Sequence, residues 1–230
     1  MKFIDSPHLK VEKAVISDML VHEGWNELVN DERAVIINAR NKYKCVFKDV
    51  DVCKAYLKKY DVKGEACILG LPADGAELLS VHACACKTYA YLSDMPPALD
   101  DGVTVKRLAP TLAQTVYAAY SEHEHFSGYR VEDIDRIMRE RGIFGAFRGS
   151  SFVGFIGRHG DGNMGILHVY EAFRRRGVGA ALEKFMINYV MTFGRTPICD
   201  VYVDNGASVA LQKKLGLTAA DGFTFWTEIA

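Results

Sequence analysis

Three arginines followed by two spaced glycines, Arg174-Arg175-Arg176-Gly177-Val178-Gly179, constrain this chain more than any other feature of its sequence. An apolar stretch precedes them and a segment with apolar residues at helical spacing follows, which predicts a strand, a turn and an amphipathic helix. Arginines at the start of a helix oppose its macrodipole by about 0.3–1 kcal/mol each, and a glycine inside a helix costs about 1 kcal/mol relative to alanine. An anion at the turn would offset these penalties, because free amides and guanidinium groups together bind phosphate.

The turn matches neither of two common phosphate-binding motifs. No Gly-Lys-Ser or Gly-Lys-Thr ending is present, which excludes a Walker loop, and the dinucleotide-binding fingerprint needs one more glycine. The alternative interpretation is a basic surface turn whose glycines serve only to bend the chain. The context of strand, turn and long amphipathic helix favours a phosphate or pyrophosphate site.

The residues before the turn predict a regular order of elements. Half of the 20 glycines lie between Gly142 and Gly179, so backbone freedom is concentrated there. Alternation, caps and turn formers predict a strand at 103–108, helices at 110–120 and 131–140, and a meander of three short strands at 143–147, 152–156 and 164–169.

The motif and this order of elements resemble the GNAT superfamily of acyl-CoA-dependent N-acyltransferases. The resemblance rests on Arg174-x-x-Gly177-x-Gly179, preceded by Gly165-Ile-Leu-His-Val169 and followed by Val201-Tyr-Val-Asp-Asn205 and Leu211-x-x-x-Leu215-Gly216-Leu217. It covers residues 103–230. It implies a mixed α/β fold with a central, mostly antiparallel sheet flanked by helices, and acetyl-CoA or another acyl-CoA as the cosubstrate.

The resemblance also implies which residues hold the coenzyme. The turn would bind the pyrophosphate, the strand before it would pair through its backbone with the pantetheine arm, and a splayed neighbouring strand at 198–203 would open the cleft. Asn205 is first a helix cap, to which the resemblance adds a coenzyme contact. The implied coenzyme residues are Leu167, His168, Val169, Arg174, Arg175, Arg176, Gly177, Val178, Gly179, Ala180, Asn205, Ser208 and Gln212.

The sequence leaves the catalytic groups open. In such a site an amine attacks the thioester directly, so the protein must remove a proton, stabilise the oxyanion and protonate the thiolate. Relatives often use a tyrosine for the last task, but Gln212 holds that position here. Three alternatives stay open: water, Ser208 or Tyr202 substitutes, the step needs no general acid, or catalysis is weak. Asn163 stands where some relatives carry a glutamate base. The remaining candidate bases are Glu122, His123, Glu124, His125, His168 and Glu171, with Glu122 and His168 foremost and a satisfied core histidine as the alternative for His168.

The segment at 121–129 lies between two predicted helices, where relatives carry a variable acceptor-binding loop. Its carboxylates suit a cationic amine, and its aromatic residues could line a pocket. The alternative is a solvated polar connection. We expect no metal site, because His123 and His125 lack further ligands at a standard spacing. His82, Cys84 and Cys86 would share a face only in a strand, and we predict the end of a helix there.

The first half predicts mixed α and β structure without a reaction-specific motif. Helices are expected at 8–20, 50–60 and 76–85, strands at 66–71 and 88–92, and the segment at 34–47 is ambiguous. Residues 1–100 hold 11 Lys and 2 Arg, the remainder 4 Lys and 11 Arg, and a linker rich in turn formers occupies 93–102. We therefore predict domains at 1–95 and 103–230. The arrangement is similar to glycine N-acyltransferase-like proteins, whose first half is a degenerate copy of the fold.

Composition limits the partners and the compartment. Twenty-eight basic and 29 acidic residues leave a net charge of −1, which argues against nucleic acid. No apolar run suits a membrane span and no signal peptide is visible, so we expect a cytoplasmic protein with free, mostly buried cysteines. The expected function is N-acyl transfer, foremost N-acetyl transfer, to a small-molecule amine or an amino acid. The alternative is an acyl-CoA sensor with little turnover, and a homodimer is left open.

Overall fold

The computed structural model describes residues 2–79, 83–99, 102–123 and 128–229 and has a mixed α/β fold, as predicted. The helices are α1 (Lys10–His22), α2 (Val50–Lys59), α3 (Gly75–Leu79), α4 (Ala113–Ser121), α5 (Val131–Glu140), α6 (Val178–Met191) and α7 (Gly206–Lys214). The strands are β1 (Asn26–Asn30), β2 (Ala34–Ala39), β3 (Lys42–Phe47), β4 (Gly64–Leu71), β5 (Ala83–Ala90), β6 (Thr104–Arg107), β7 (Ile143–Arg148), β8 (Ser151–Arg158), β9 (Met164–Val169), β10 (Ile198–Tyr202), β11 (Thr218–Ala219) and β12 (Phe223–Ile229).

The chain folds into two compact units. The first comprises Met1–Leu92 and Asp200–Ala230, and the second comprises Ser93–Cys199. The final segment joins the first unit because β12 pairs with β4 and β5. The domains predicted from the sequence are a first half that resembles a degenerate copy of the fold, 1–95, and a catalytic domain, 103–230. These domains stay a prediction, because the compact units are defined by contacts within the fold and not by evolutionary origin.

The first unit is built on a mixed sheet. Its strand order is β1-β2-β3-β4-β12-β5-β10, with β11 also paired to β5. The β3–β4 pair is parallel, while β1–β2, β2–β3, β4–β12, β5–β12 and β5–β11 are antiparallel. Ile36, Phe47, Tyr56, Ile68 and Phe225 belong to its buried core. The ambiguous segment at 34–47 is thus a hairpin of two buried strands.

The predicted helix at 76–85 is correct as far as Leu79 and wrong from Ala83 onward, where the chain forms a strand. Helix α3 ends at Leu79, and β5 begins at Ala83 and pairs along one side with β12. Strand pairing here outweighs the helix propensity of the alanines, a common effect of tertiary context. Cys84 is therefore exposed and Cys86 buried within a strand, while His82 lies outside the described residues. All six cysteines, each within the described ranges, are free thiols, and five are buried.

The second unit is built on an antiparallel sheet in the order β6-β7-β8-β9. Helices α4 and α5 pack on one face, through a buried cluster that includes Val116, Ile134 and Phe155. Helix α6 covers the other face, where Leu182 lies next to Gly154, the neighbour of Phe155 along β8. All the elements predicted at 103–169 are present within one or two residues of the expected bounds, except that 110–112 form a 3-10 turn ahead of α4 and β8 extends to Arg158. None of the helices among the described residues has the length and apolar character to cross a membrane.

Helix α1 buries a carboxylate without giving it a hydrogen bond. Glu12 is 0% exposed, and neither carboxylate oxygen has a hydrogen-bond partner among the described residues. Burial raises the pKa of Glu12 above its usual 4.5, and the charge of Asp221 adds to the rise, while the backbone amide of Glu12 and the charge of Lys87 oppose it. Ionisation of Glu12 therefore disfavours the folded state.

We expect Glu12→Gln to stabilise the protein near neutral pH. Because the folded-state pKa is raised, the contribution of Glu12 to stability is complete below pH 4.5 and is lost as the pH rises through the folded value. Removing the charge should recover about 1–3 kcal/mol at pH 8. Urea unfolding at pH 4 and pH 8 measures this. Equal stabilisation at both pH values would contradict the assignment, and Glu77→Gln, on exposed α3 surface, is the control.

Candidate functional site

Strand β9 forms one edge of the second unit's sheet and contains a β-bulge. Phe155 of β8 faces His168 and Gly157 faces Gly165, so Ile166 and Leu167 together oppose a single residue. Ile166 has a φ of 50°, a left-handed conformation that costs a β-branched residue about 1–3 kcal/mol. The bulge re-aims the backbone beyond it, where the strand leads into the basic turn.

The backbone of Val169 points away from the sheet. The Tyr170 amide donates to the Val153 carbonyl (3.2 Å), so the antiparallel alternation turns the amide and carbonyl of Val169 outward. The Arg174 Nε donates to the Val169 carbonyl at 3.1 Å, a contact that is possible only because this carbonyl points away from β8. The edge of β9 thus offers a backbone amide to an extended ligand, as in strand-addition binding.

The basic turn has the geometry expected from the sequence. Arg175 and Gly177 have φ values of 61° and 83°, and Gly177 precedes the first residue of α6. A Cβ at Gly177 would meet no atom within 4 Å, so the space in front of the helix start is open. The first amides of α6 have no acceptor within the helix, and the side chains of Arg174, Arg175 and Arg176 are exposed beside them. Free helix amides beside exposed guanidinium groups are an arrangement that can bind an anion.

Arg148, at the end of β7, contacts the backbone of the basic turn. Its guanidinium Nη2 donates to the Arg176 carbonyl at 2.6 Å. Its Nε is buried and has no hydrogen-bond partner among the described residues. A fourth guanidinium therefore lies at the turn, and the hydrogen bond fixes the peptide that precedes Gly177. No sequence motif indicates a role for Arg148, which lies 26 residues before Arg174.

A cavity of about 630 Å³ lies between α4 and the end of β9. It brings together three residues that the sequence predicted as candidates, Glu122, His168 and Glu171, with Arg174 of the turn. Glu122 and Glu171 are exposed, so the cavity wall carries two carboxylates and one guanidinium. The lining residues are Gln114, Thr115, Ala118, Ala119, Glu122, His168, Tyr170, Glu171 and Arg174.

His168 is buried in the cavity wall and is neutral. Its side chain is stacked on Phe155 (ring centroids 5.2 Å apart), and only 5% of the residue is exposed. Burial, followed by the charges of His123 and Arg174, lowers the pKa of His168 from 6.5 to about 4. Its Nδ1 lies 2.7 Å from the Nε2 of His123, whereas its own Nε2 has no hydrogen-bond partner among the described residues.

Sequence reasoning missed Tyr170. Its ring packs against His168 (4.8 Å between centroids) and Phe152 (5.4 Å), and it is part of the cavity wall. Burial raises the pKa of Tyr170, and the charge of Glu122 raises it further, so the phenol stays protonated at neutral pH. Strand alternation could have indicated Tyr170, because residues 168 and 170 of an extended segment lie on the same face.

The remaining candidate residues that the structure describes do not line the cavity. Asn205 caps α7 and accepts the amide of Ser208 at 3.1 Å, as predicted for a cap, and Gln212 is buried in the same helix. All three belong to the first unit, and their role toward a coenzyme stays a prediction. Asn163 is buried. Glu124 and His125 lie outside the described residues, and within the described ranges no group of three or more His, Cys, Asp or Glu could hold a metal ion.

Comparison with known proteins agrees with this geometry. The family model described as FR47-like protein matches residues 141–226, a little over a third of the chain. A search of curated proteins gave no match.

Solved structures resemble the whole chain. A Drosophila melanogaster protein is 16% identical with a TM-score of 0.61, covering 86% of this chain and 74% of its own. A GCN5-related N-acetyltransferase from Kribbella flavida is 11% identical (TM-score 0.53; 96% and 95% covered). A GCN5-related N-acetyltransferase-like protein from Streptococcus suis is 14% identical (TM-score 0.52; 99% and 95% covered). Together with the bulged edge strand and the basic turn, these likenesses show that the chain has the fold of the GNAT superfamily.

Proposed function

We propose that this protein is an acyl-CoA-dependent N-acyltransferase, with an acetyl donor and a small-molecule amine or amino acid as acceptor. The observation that carries the proposal is the open anion site at the start of α6, directly beside the outward backbone of Val169. A coenzyme A thioester has a diphosphate for the first and, at the end of its extended arm, a thioester carbonyl that the Val169 amide can bind. The GNAT fold supports the same assignment.

The reaction needs few groups from the protein. The amine nitrogen attacks the thioester carbon, a C–N bond forms, the C–S bond breaks, and the amine loses a proton while the thiolate gains one. The Val169 amide is the proposed donor to the oxyanion, because it points outward from β9. Glu122 and His168 are the proton acceptors that adjoin the cavity. Asn205, Ser208 and Gln212 remain proposed contacts of the coenzyme.

The cavity favours a cationic or zwitterionic acceptor. Glu122 and Glu171 attract an ammonium group, and Arg174 can pair with a carboxylate. We expect diamines and amino acids to be better acceptors than neutral alcohols or anionic amines.

Thiol release from acetyl-CoA across a panel of amines tests the proposal. Acyl transfer to at least one amine, with N-acetyl product identified by mass spectrometry, would support it. A protein that binds acetyl-CoA but releases no thiol with any amine would instead favour the sensor alternative. Gln212 suggests that alternative, because it is buried and its amide cannot protonate a thiolate. Absence of both binding and release would refute the two functions together.

Arg148 provides a prediction about coenzyme binding. Arg148→Met should weaken acetyl-CoA binding about tenfold, equivalent to about 1.4 kcal/mol, because the turn loses its support and a nearby positive charge. Isothermal titration calorimetry measures the affinity. Arg148→Lys keeps the positive charge but loses the planar guanidinium group, so its acetyl-CoA affinity should lie between those of wild type and Arg148→Met. Lys106→Met, on the exposed surface of β6, is the control. Unchanged affinity in Arg148→Met would show that the turn is stable without this contact.

A further inference from the structure

Two histidines from different elements meet at the cavity. His123 follows the end of α4, His168 lies in β9, and their Nε2 and Nδ1 atoms are 2.7 Å apart. The His168 ring is clamped by Phe155 on its face and Tyr170 at 76° to it, so its orientation is fixed by packing. His123 therefore takes its position from His168, and the end of α4 is tied to β9.

The hydrogen bonding of His168 assigns its proton. A neutral histidine carries one N–H, and the Nε2 of His168 has no acceptor nearby. A buried, unpaired N–H is rarer in proteins than an unpaired acceptor. We assign the proton to Nδ1, which donates to the Nε2 of His123. His123 then carries its own proton on Nδ1.

Both Glu122 and His168 line the cavity, but only Glu122 presents an exposed proton acceptor to it. The His168 Nε2 is fully covered, and its Nδ1 is engaged with His123. Glu122 immediately precedes His123, is exposed, and lies close enough to Tyr170 for its charge to raise the pKa of that phenol. Arg174 and Glu171 are the other charged groups of the cavity wall, and Tyr120 packs against His123.

We propose that His123 is a positioning residue, whose hydrogen bond to His168 holds Glu122 against the cavity as the proton acceptor for the incoming amine. This inference rests on the proposed N-acyltransferase function. The amine proton passes to the Glu122 carboxylate as the C–N bond forms. His168 takes no proton from substrate and serves as the fixed anchor.

The first test is structural and needs no acceptor. In wild type, ¹⁵N NMR of the histidine side chains should show His168 as the Nδ1–H tautomer from pH 6 to 8. In His123→Phe, which keeps a ring but not the hydrogen bond, the pKa of the Tyr170 phenol should fall, because Glu122, whose charge raises that pKa, is no longer held at the cavity. The ¹³C shift of the Tyr170 ring measures this pKa, and His22→Phe should leave it unchanged. An Nε2–H tautomer of His168, or the same Tyr170 pKa in wild type and His123→Phe, would overturn the proposal.

The second test uses the best amine found in the panel. His123→Phe should lower kcat about 10- to 100-fold with little change in the KM for acetyl-CoA, and His123→Gln should restore part of the loss. In a Glu122→Gln background His123→Phe should have no further effect. Full additivity of the two changes would overturn the proposal. A wild type that transfers to no amine would refute the proposed function, and the NMR test would still decide the positioning role.

Discussion

Acetyl-CoA affinity falls at least 100-fold when Arg174 and Arg175 are both changed to glutamate, if the turn binds the pyrophosphate. Each change replaces an exposed guanidinium beside the open start of α6 by a carboxylate that repels the diphosphate. Arg174→Glu also removes the contact with the Val169 carbonyl. Calorimetric titration with acetyl-CoA at low and physiological salt measures the loss, which should be larger at low salt.

The control for this result is the pair Lys106→Glu and Arg136→Glu. Both side chains are exposed on the same unit, at β6 and α5, and the pair alters net charge by the same amount. We expect less than a threefold change in affinity. Equal losses in both doubly substituted proteins would mean that overall charge, and no specific turn, governs binding. Circular dichroism should show native helix content in each.

Gly154→Ala is expected to have the largest effect on stability. A Cβ at this position of β8 would stand 2.5 Å from the His168 carbonyl oxygen and 3.2 Å from the Val169 Cα, both backbone atoms that cannot move aside cheaply. Strands β8 and β9 must separate, and we expect a loss of about 2–4 kcal/mol in unfolding free energy. Acetyl-CoA binding should weaken as well, because the displaced edge carries the Val169 amide.

Gly160→Ala is the matched control, since a Cβ there meets no atom within 4 Å and the backbone needs no positive φ. We expect it to be neutral or slightly stabilising. Denaturant unfolding of both variants measures the difference. Equal stability of the two alanine variants would show that β8 and β9 can adjust without cost, contrary to the close approach seen at Gly154.

The local patterns were sufficient for the second unit. The meander, both helices before it and the turn before α6 follow from alternation, caps and glycine spacing, because neighbouring residues in sequence also pack together there. The conformation of the basic turn could be predicted for the same reason, since its three arginines and two glycines lie within six residues. The order of elements predicted from these patterns, on which the resemblance to GNAT proteins rests in part, is the order that the fold shows.

Long-range contacts explain what the sequence did not reveal. Strand β5 was predicted in part as helix because its partner β12 lies more than 130 residues later. The His123–His168 contact joins residues 45 positions apart, and neither has a motif that indicates the other. Arg148 and Tyr170 were missed because their roles depend on the carbonyl and the cavity that they face.

The placement of β12 between β4 and β5 has a consequence for biosynthesis. A ribosome that adds about 5–20 residues per second needs about 7–27 seconds to proceed from residue 90 to residue 223. Throughout that interval the nascent first half exposes two strand edges that await the same partner. The pairing of β12 with β4 and β5 is thus delayed until residues 223–229 have been synthesised, and both edges stay open to non-native strand pairing until then.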